Sequence, residues 1–159
     1  MKLRELIPQD SIIPELESTS RAGVIRELVE KLASAGRLPA ELTESVIKSI
    51  VTRERSRGST GFGKGVAIPH TKLDGVTSVV AAAGRSSKGV DFAALDGAPV
   101  YIVFLILSPE RDPDSHLKAM DVVFRQLQNE RFRKFFRQSD TAEKIYDLLG
   151  EADEQPAGS

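Results

Sequence analysis

Residues 100–107 read VYIVFLIL, a stretch in which no position offers a charged side chain to solvent. Its β-branched and aromatic content favours an extended strand, and a strand without polar alternation has to be covered on both faces. It is far too short to span a bilayer as a helix. A central strand of this kind calls for helices on either side of its sheet, and the rest of the chain supplies them.

Ser18, Thr19 and Ser20 are cap candidates for a helix over RAGVIRELVEKLASAG, in which Val24, Leu28 and Leu32 share a face with Ile25 and Val29 alongside. Gly36 ends it as a left-handed cap. ELTESVIKSIVTRERS, 41–56, reads as a second helix, with Leu42, Val46, Ile50 and Val51 inward and a charged end from Arg53 onward. SVVAAAGRS, 78–86, is a second strand, and DFAALDGAP, 91–99, a loop with Asp96-Gly97 as its turn. Beyond Pro113, DSHLKAMDVVFRQLQNE has the period of an amphipathic helix, and Leu117, Met120, Phe124 and Leu127 form the expected buried face, with Val123 beside them. RFRKFFRQ and TAEKIYDLL are two further helices. The basic charges near RFRKFFRQ read as the wet side of a helix. The expectation is an α/β fold, a mixed β-sheet flanked by helices, in a single domain over residues 1–150, with 151–159 a disordered tail by composition.

A chain of 159 residues suits one domain with a sizeable core. A formal charge of −1 gives nucleic acid nothing to bind. The absence of cysteine excludes disulfides, thiolate metal sites and thiol nucleophiles, and is compatible with a reducing cytoplasm. MKLRELIPQD lacks the apolar core of a signal peptide, so a cytoplasmic protein without membrane insertion is expected.

Chemistry concentrates in RGSTGFGKGVAIPHT, 57–71. Gly58, four residues and then Gly63-Lys64 imitate a nucleotide loop. That loop needs a strand before it, a helix after it and a magnesium-binding hydroxyl following the lysine. Here a charged helical segment enters, Val66 and Ile68 favour a strand on leaving, Pro69 biases Ile68 to an extended backbone, and Gly65 replaces the hydroxyl. The alternative is a glycine-rich anion loop leading to a short strand that ends at Pro69 and presents His70.

GSTGFGKGVAIPHTKL strongly resembles the active-site segment of the IIA domains of the bacterial phosphotransferase system, fructose/mannitol type, in wording closest to the nitrogen-related regulatory branch. TRER before it and DSHLKAM after it resemble that family's flanking segments in order, and the resemblance covers roughly residues 1–150. It implies a phosphoryl carrier that accepts phosphate from the phosphohistidine of the small carrier HPr, with no cofactor. Two departures stand out: the span from Arg53-Glu54 to the glycine-rich loop is one residue longer than usual, and Thr71 stands where Gly, Ala or Cys is commoner.

By the resemblance His70 is the phosphoryl acceptor, at Nε2. His116, in the first turn of a helix capped by Asp114 or Ser115, supports it: a helix N-terminus disfavours imidazolium, and a neutral ring can donate to the phosphoryl group or orient His70. Arg53 corresponds to the family's active-site arginine and suits a bidentate grip on phosphate, with Arg55 and Arg57 competing for the place. Ser59, Thr60 and Gly61 are expected to offer hydroxyl or backbone donors to the phosphate. A metal site is not expected, because Asp74 and His70 align as ligands only on a helix and Pro69 argues for a strand end. Having no cysteine or second domain to pass phosphate on, the chain suits a regulatory carrier. A sugar-specific component serving a IIB domain is the alternative, and an anion-binding module that is never phosphorylated is a further one.

Overall fold

In the computed structural model, which describes residues 1–155, the chain opens with a one-turn helix, α1 (Leu3–Leu6), and a two-residue strand, β1 (Ile12–Ile13). Helices α2 (Arg21–Ser34) and α3 (Thr43–Ser56) precede three short strands, β2 (Gly61–Gly63), β3 (Val66–Ala67) and β4 (His70–Leu73). Two long strands, β5 (Val80–Val90) and β6 (Val100–Pro109), lead into α4 (Pro113–Gln128), α5 (Glu130–Gln138) and α6 (Ala142–Glu154).

The apolar run lies in β6, which takes β5 antiparallel on one side and both β3 and β4 parallel on the other. β1 extends the sheet beyond β5, and β2 closes it antiparallel to β3. Successive side chains of β6 go to opposite layers. Ile102, Phe104 and Ile106 pack with residues of α4, α5 and α6, whereas Val103, Leu105 and Leu107 pack with α2 and α3. All six are at most 1% exposed, and burying each contributes about 1.5–3 kcal/mol. The fold is the mixed α/β sheet flanked by helices, in a single domain, that this run demands. Among the described residues no helix is long and apolar enough to cross a membrane.

Local signals explain the element ends. The Ser20 hydroxyl caps α2 by accepting from the Gly23 N–H. At its other end Gly36 takes φ +76° and the Arg37 N–H returns to the Leu32 carbonyl, a left-handed stop that only glycine adopts freely. β3 and β4 are one extended segment in a common register along β6, lapsing at Ile68-Pro69. Gly65, Pro69 and Leu73 all send their carbonyls toward β6 and its continuation at Glu110, so the proline nitrogen faces the same way and has no hydrogen to give.

Four expectations need correction. The buried face of α4 is His116, Ala119, Val123, Gln126 and Leu127; Leu117 is 66% and Phe124 42% exposed, and Met120 is half-buried. The stripe is turned by about one position, with Ala119 packed inside and Leu117 and Phe124 left outside. In α3, Ile47 and Glu54 join Val46 and Ile50 inside, while Leu42 and Val51 are half-buried. β5 begins at Val80 and continues to Val90, past Gly84, against which Leu16 packs closely. Finally, α6 runs on through Glu154, because the Asp153 carboxylate accepts from the N–H groups of Leu3 and Arg4, 2.6 and 3.1 Å away. The remainder of the expected tail, 156–159, lies outside the described residues.

Candidate functional site

Strand parity decides where the reactive side chains go. Val66 and Ile68 face the α4 layer and Ala67 faces α2 and α3. His70, two residues beyond Ile68, therefore points to the α4 side, and Thr71 points to α3, where its hydroxyl lies 3.3 Å from that of Ser49. On β6 the same alternation carries Ser108, fully buried, toward α4. There its hydroxyl meets His116 Nδ1 at 2.6 Å. The rings of His70 and His116 consequently sit together, with centroids 5.5 Å apart and planes at 45°.

The two rings are held differently. The Ile68 N–H bonds the Thr60 carbonyl, so the outer edge of Ile68 is turned to the glycine-rich loop. Its carbonyl shares that edge but lies beyond the end of β2, and it bonds His70 Nδ1 at 2.7 Å. A carbonyl only accepts, so Nδ1 carries the proton and Nε2 of the neutral ring keeps its lone pair. Burial, aided by the charges of Arg53 and Lys72, holds the His70 pKa below the ordinary histidine value, against the upward pull of the Ile68 bond and of Glu54. His116, 6% exposed, is pushed down to about 4, first by burial and then by His70, Lys72 and Arg53. Both rings are thus neutral at pH 7. α4 is capped by Asp112, ahead of the expected Asp114 or Ser115: its carboxylate accepts from the N–H and hydroxyl of Ser115, and Pro113 takes the first helical position. His116 still lies near the positive end of the helix.

Arg53, on the last turn of α3, is half-buried and its charge acts on both histidines. A cleft of about 250 Å³ is lined by Arg53, Glu54, Arg57, Gly58, Ser59, Thr60, Phe62 and His70 among others. Arg57 is exposed at its rim, and Arg55, also exposed, is not part of the wall. Arg53 and Arg57 both reach the cleft wall, Arg53 as the less exposed of the two.

Of the expected phosphate contacts, the Ser59 and Thr60 hydroxyls and the Thr60 and Gly61 N–H groups are already bonded within the protein. The Ser59 hydroxyl donates to the Phe92 carbonyl at 2.7 Å and accepts from the Gly61 N–H at 2.9 Å. The Thr60 N–H and hydroxyl both go to the carboxylate of Glu54. These residues shape the loop through bonds that an incoming anion would have to break. The backbone N–H groups of Gly58 and Ser59, by contrast, have no protein partner among the described residues. Lys64, in the tight turn between β2 and β3 with φ 59°, gives its N–H to Asp96, so the nucleotide-loop imitation is a hairpin. Asp74 is exposed in the turn after β4.

Sequence reasoning missed Glu54, 3% exposed, and Ser108. Glu54 adjoins the arginine in a charged helix end, and Ser108 closes an apolar run. The available signals were the helical spacing of Glu54 from Ile47 and Ile50 and the strand alternation that carries Ser108 to the side of Ile106. It also missed the rim. Leu117 and Phe124 share one face of α4, and the Phe124 ring meets Phe62 edge-on at 5.7 Å, both rings about two-fifths exposed.

The chain is similar to known proteins over nearly its whole length. The profile of the family described as "Phosphoenolpyruvate-dependent sugar phosphotransferase system, EIIA 2" matches residues 5–152. A nitrogen regulatory protein of Bradyrhizobium diazoefficiens is 34% identical over 149 residues, spanning 94% of this chain and 95% of that one. The PTS system fructose-specific EIIABC component of Bacillus subtilis is 35% identical over 153 residues, 96% of this chain, which spans only 24% of that protein's length. Among solved structures, the nitrogen regulatory protein IIA-Ntr from Neisseria meningitidis superposes with a TM-score of 0.81 at 30% identity, covering 91% of this chain and 97% of the other.

Proposed function

The chain belongs to the EIIA 2 family of the phosphoenolpyruvate-dependent sugar phosphotransferase system, and from that premise we propose that it carries a phosphoryl group on Nε2 of His70, received from phosphohistidine HPr in the cytoplasm. One observation carries the assignment to that atom: the bond from Nδ1–H to the Ile68 carbonyl leaves Nε2 as the ring's only lone pair. Transfer breaks the donor's N–P bond as the new one forms, and the His70 Nδ1 proton stays where it is. The equatorial oxygens need compensating charge and donors. The Arg53 guanidinium supplies charge. His116 supplies a donor when the Ser108 hydroxyl donates to its Nδ1, since Nε2 then carries the ring proton. The Gly58 and Ser59 amides are further donors to the same oxygens. The exposed Phe62, Phe124 and Leu117 beside the cleft suit a protein donor, whose apolar surface they would cover.

Regulation is the favoured use of the phosphate, because the match to a nitrogen regulatory protein runs nearly the full length of both chains. Phosphorylation then changes the charge of a partner-binding face. Transfer onward to a IIB domain is the second reading, favoured by the likeness to the fructose-specific component.

Incubation with Enzyme I, HPr and phosphoenolpyruvate tests the proposal. An acid-labile phosphate on the wild type, absent from His70→Ala, is expected. No incorporation into wild type would leave only an anion-binding module. Adding IIB domains separates the two uses: loss of label to one of them selects the sugar-specific reading.

A further inference from the structure

Glu54 is a buried carboxylate that makes no ion pair among the described residues, and the phosphoryl chemistry above does not use it. Burying an unpaired carboxylate is costly unless hydrogen bonds compensate. Both compensating bonds come from one residue: Oε2 accepts the Thr60 N–H at 2.8 Å, and Oε1 accepts the Thr60 hydroxyl. These are charge-assisted bonds, about twice as strong as neutral ones, and together they fix the backbone and the side chain of Thr60.

Thr60 is in turn the neighbour that fixes Ile68. Its carbonyl accepts the Ile68 N–H at 3.2 Å, and the Ile68 carbonyl accepts His70 Nδ1–H at 2.7 Å. An unbroken chain of bonds therefore runs from the last turn of α3 through the loop and the strand to the ring. The loop has other ties, from Ser59 to Phe92 and from the Leu95 N–H to the Gly61 carbonyl, but they hold its far side. With Gly58 and Gly63 both at positive φ on either side, the loop's own backbone gives little resistance to movement.

We infer that Glu54 is a positioning residue that, through Thr60 and the Ile68 carbonyl, keeps the His70 ring oriented with Nδ1 protonated and Nε2 facing the incoming phosphoryl group. The inference rests on the carrier reading for its kinetic consequence, but the ring proton can be observed without any phosphate. Glu54 also lies close enough to His70 to oppose the downward pull of Arg53 on its pKa.

The test compares Glu54→Gln with Glu54→Ala. Glutamine can still accept the Thr60 N–H and donate to the Thr60 hydroxyl oxygen, so it preserves the hold while deleting the charge. Nitrogen-15 NMR of the two imidazoles should find His70 as the Nδ1–H tautomer in wild type and Glu54→Gln, and as a mixture in Glu54→Ala, with His116 unchanged. At saturating phospho-HPr, Glu54→Ala should lose about 10- to 100-fold in rate with KM little altered, the scale expected of a misplaced reacting group.

A purely structural role predicts a lower melting temperature for Glu54→Ala with the tautomer and the saturating rate unchanged, and that result overturns the inference. So does a Glu54→Gln variant as impaired as Glu54→Ala, which would assign the effect to charge. If Glu54→Ala fails to fold, Thr60→Val removes one of the two bonds and should show a smaller shift in the same direction; a wild-type tautomer there counts against the inference. If wild type takes up no phosphate, the carrier reading falls while the tautomer still decides what Glu54 does.

Discussion

His70 and His116 lie ring to ring yet are held by unlike partners. His70 rests on an edge strand and gives its Nδ1 proton to a backbone carbonyl, which can do nothing but accept. His116 is buried on a helix and shares its Nδ1 with a serine hydroxyl, which can donate or accept. The first arrangement permits one tautomer, and the second permits two with only a rotation of the hydroxyl. Under the proposed carrier role, the ring that offers a lone pair has the fixed partner, and the ring that serves a changing anion has the adaptable one.

The difference can be broken most severely by replacing each ring with glutamine. His70→Gln should abolish acid-labile phosphate uptake, whereas His116→Gln should slow it by roughly 10²-fold, the order of cost for one lost donor to a developing anion. Equal and complete loss in both would erase the distinction between acceptor and donor.

Acid unfolding sharpens it next. The unfolded chain protonates histidine near pH 6.5, but folded His116 resists until about pH 4. Between these values the unfolded state binds more protons, so stability present above pH 6.5 is lost as pH falls toward 4. The loss is on the order of 3 kcal/mol from His116. Urea titrations across this window should show a flatter pH dependence in His116→Gln than in wild type.

Ser108→Ala is expected to cost about 1–3 kcal/mol, the penalty of a buried nitrogen without its partner. Phosphorylation should slow with it while the His70 tautomer is unmoved, and a shift of that tautomer would contradict the separation of the two holds. Smallest of all, Ser49→Ala should cost about 0.5–1.5 kcal/mol through loss of its bond to Thr71, as measured by urea unfolding.

Much of this arrangement is visible in the order of residues. The VYIVFLIL run dictates a central strand because every position has a covered face to occupy. Pro69 fixes where the edge segment lapses, and with it the place of His70. What escapes is direction within a helix. Leu117, Met120 and Phe124 outweigh Ala119 and Gln126 in apolar bulk, so periodicity alone turns the stripe of α4 too far toward them. Which apolar side chains of a helix face outward is decided by how it seats on the sheet, which local pattern does not encode. Glu54 escapes for the converse reason: a carboxylate among arginines at a helix end looks solvated until the loop that folds over it supplies Thr60. The bonds of the Ser59 and Thr60 hydroxyls and of the Thr60 and Gly61 amides are hidden in the same way, since groups in a glycine-rich loop first satisfy one another.

The clasp between Asp153 and the N–H groups of Leu3 and Arg4 brings the two extremities of the described chain side by side. A few residues of flexible linker could join them. The unit is therefore one that a longer polypeptide can accommodate as an inserted cassette, leaving and rejoining its host at a single point.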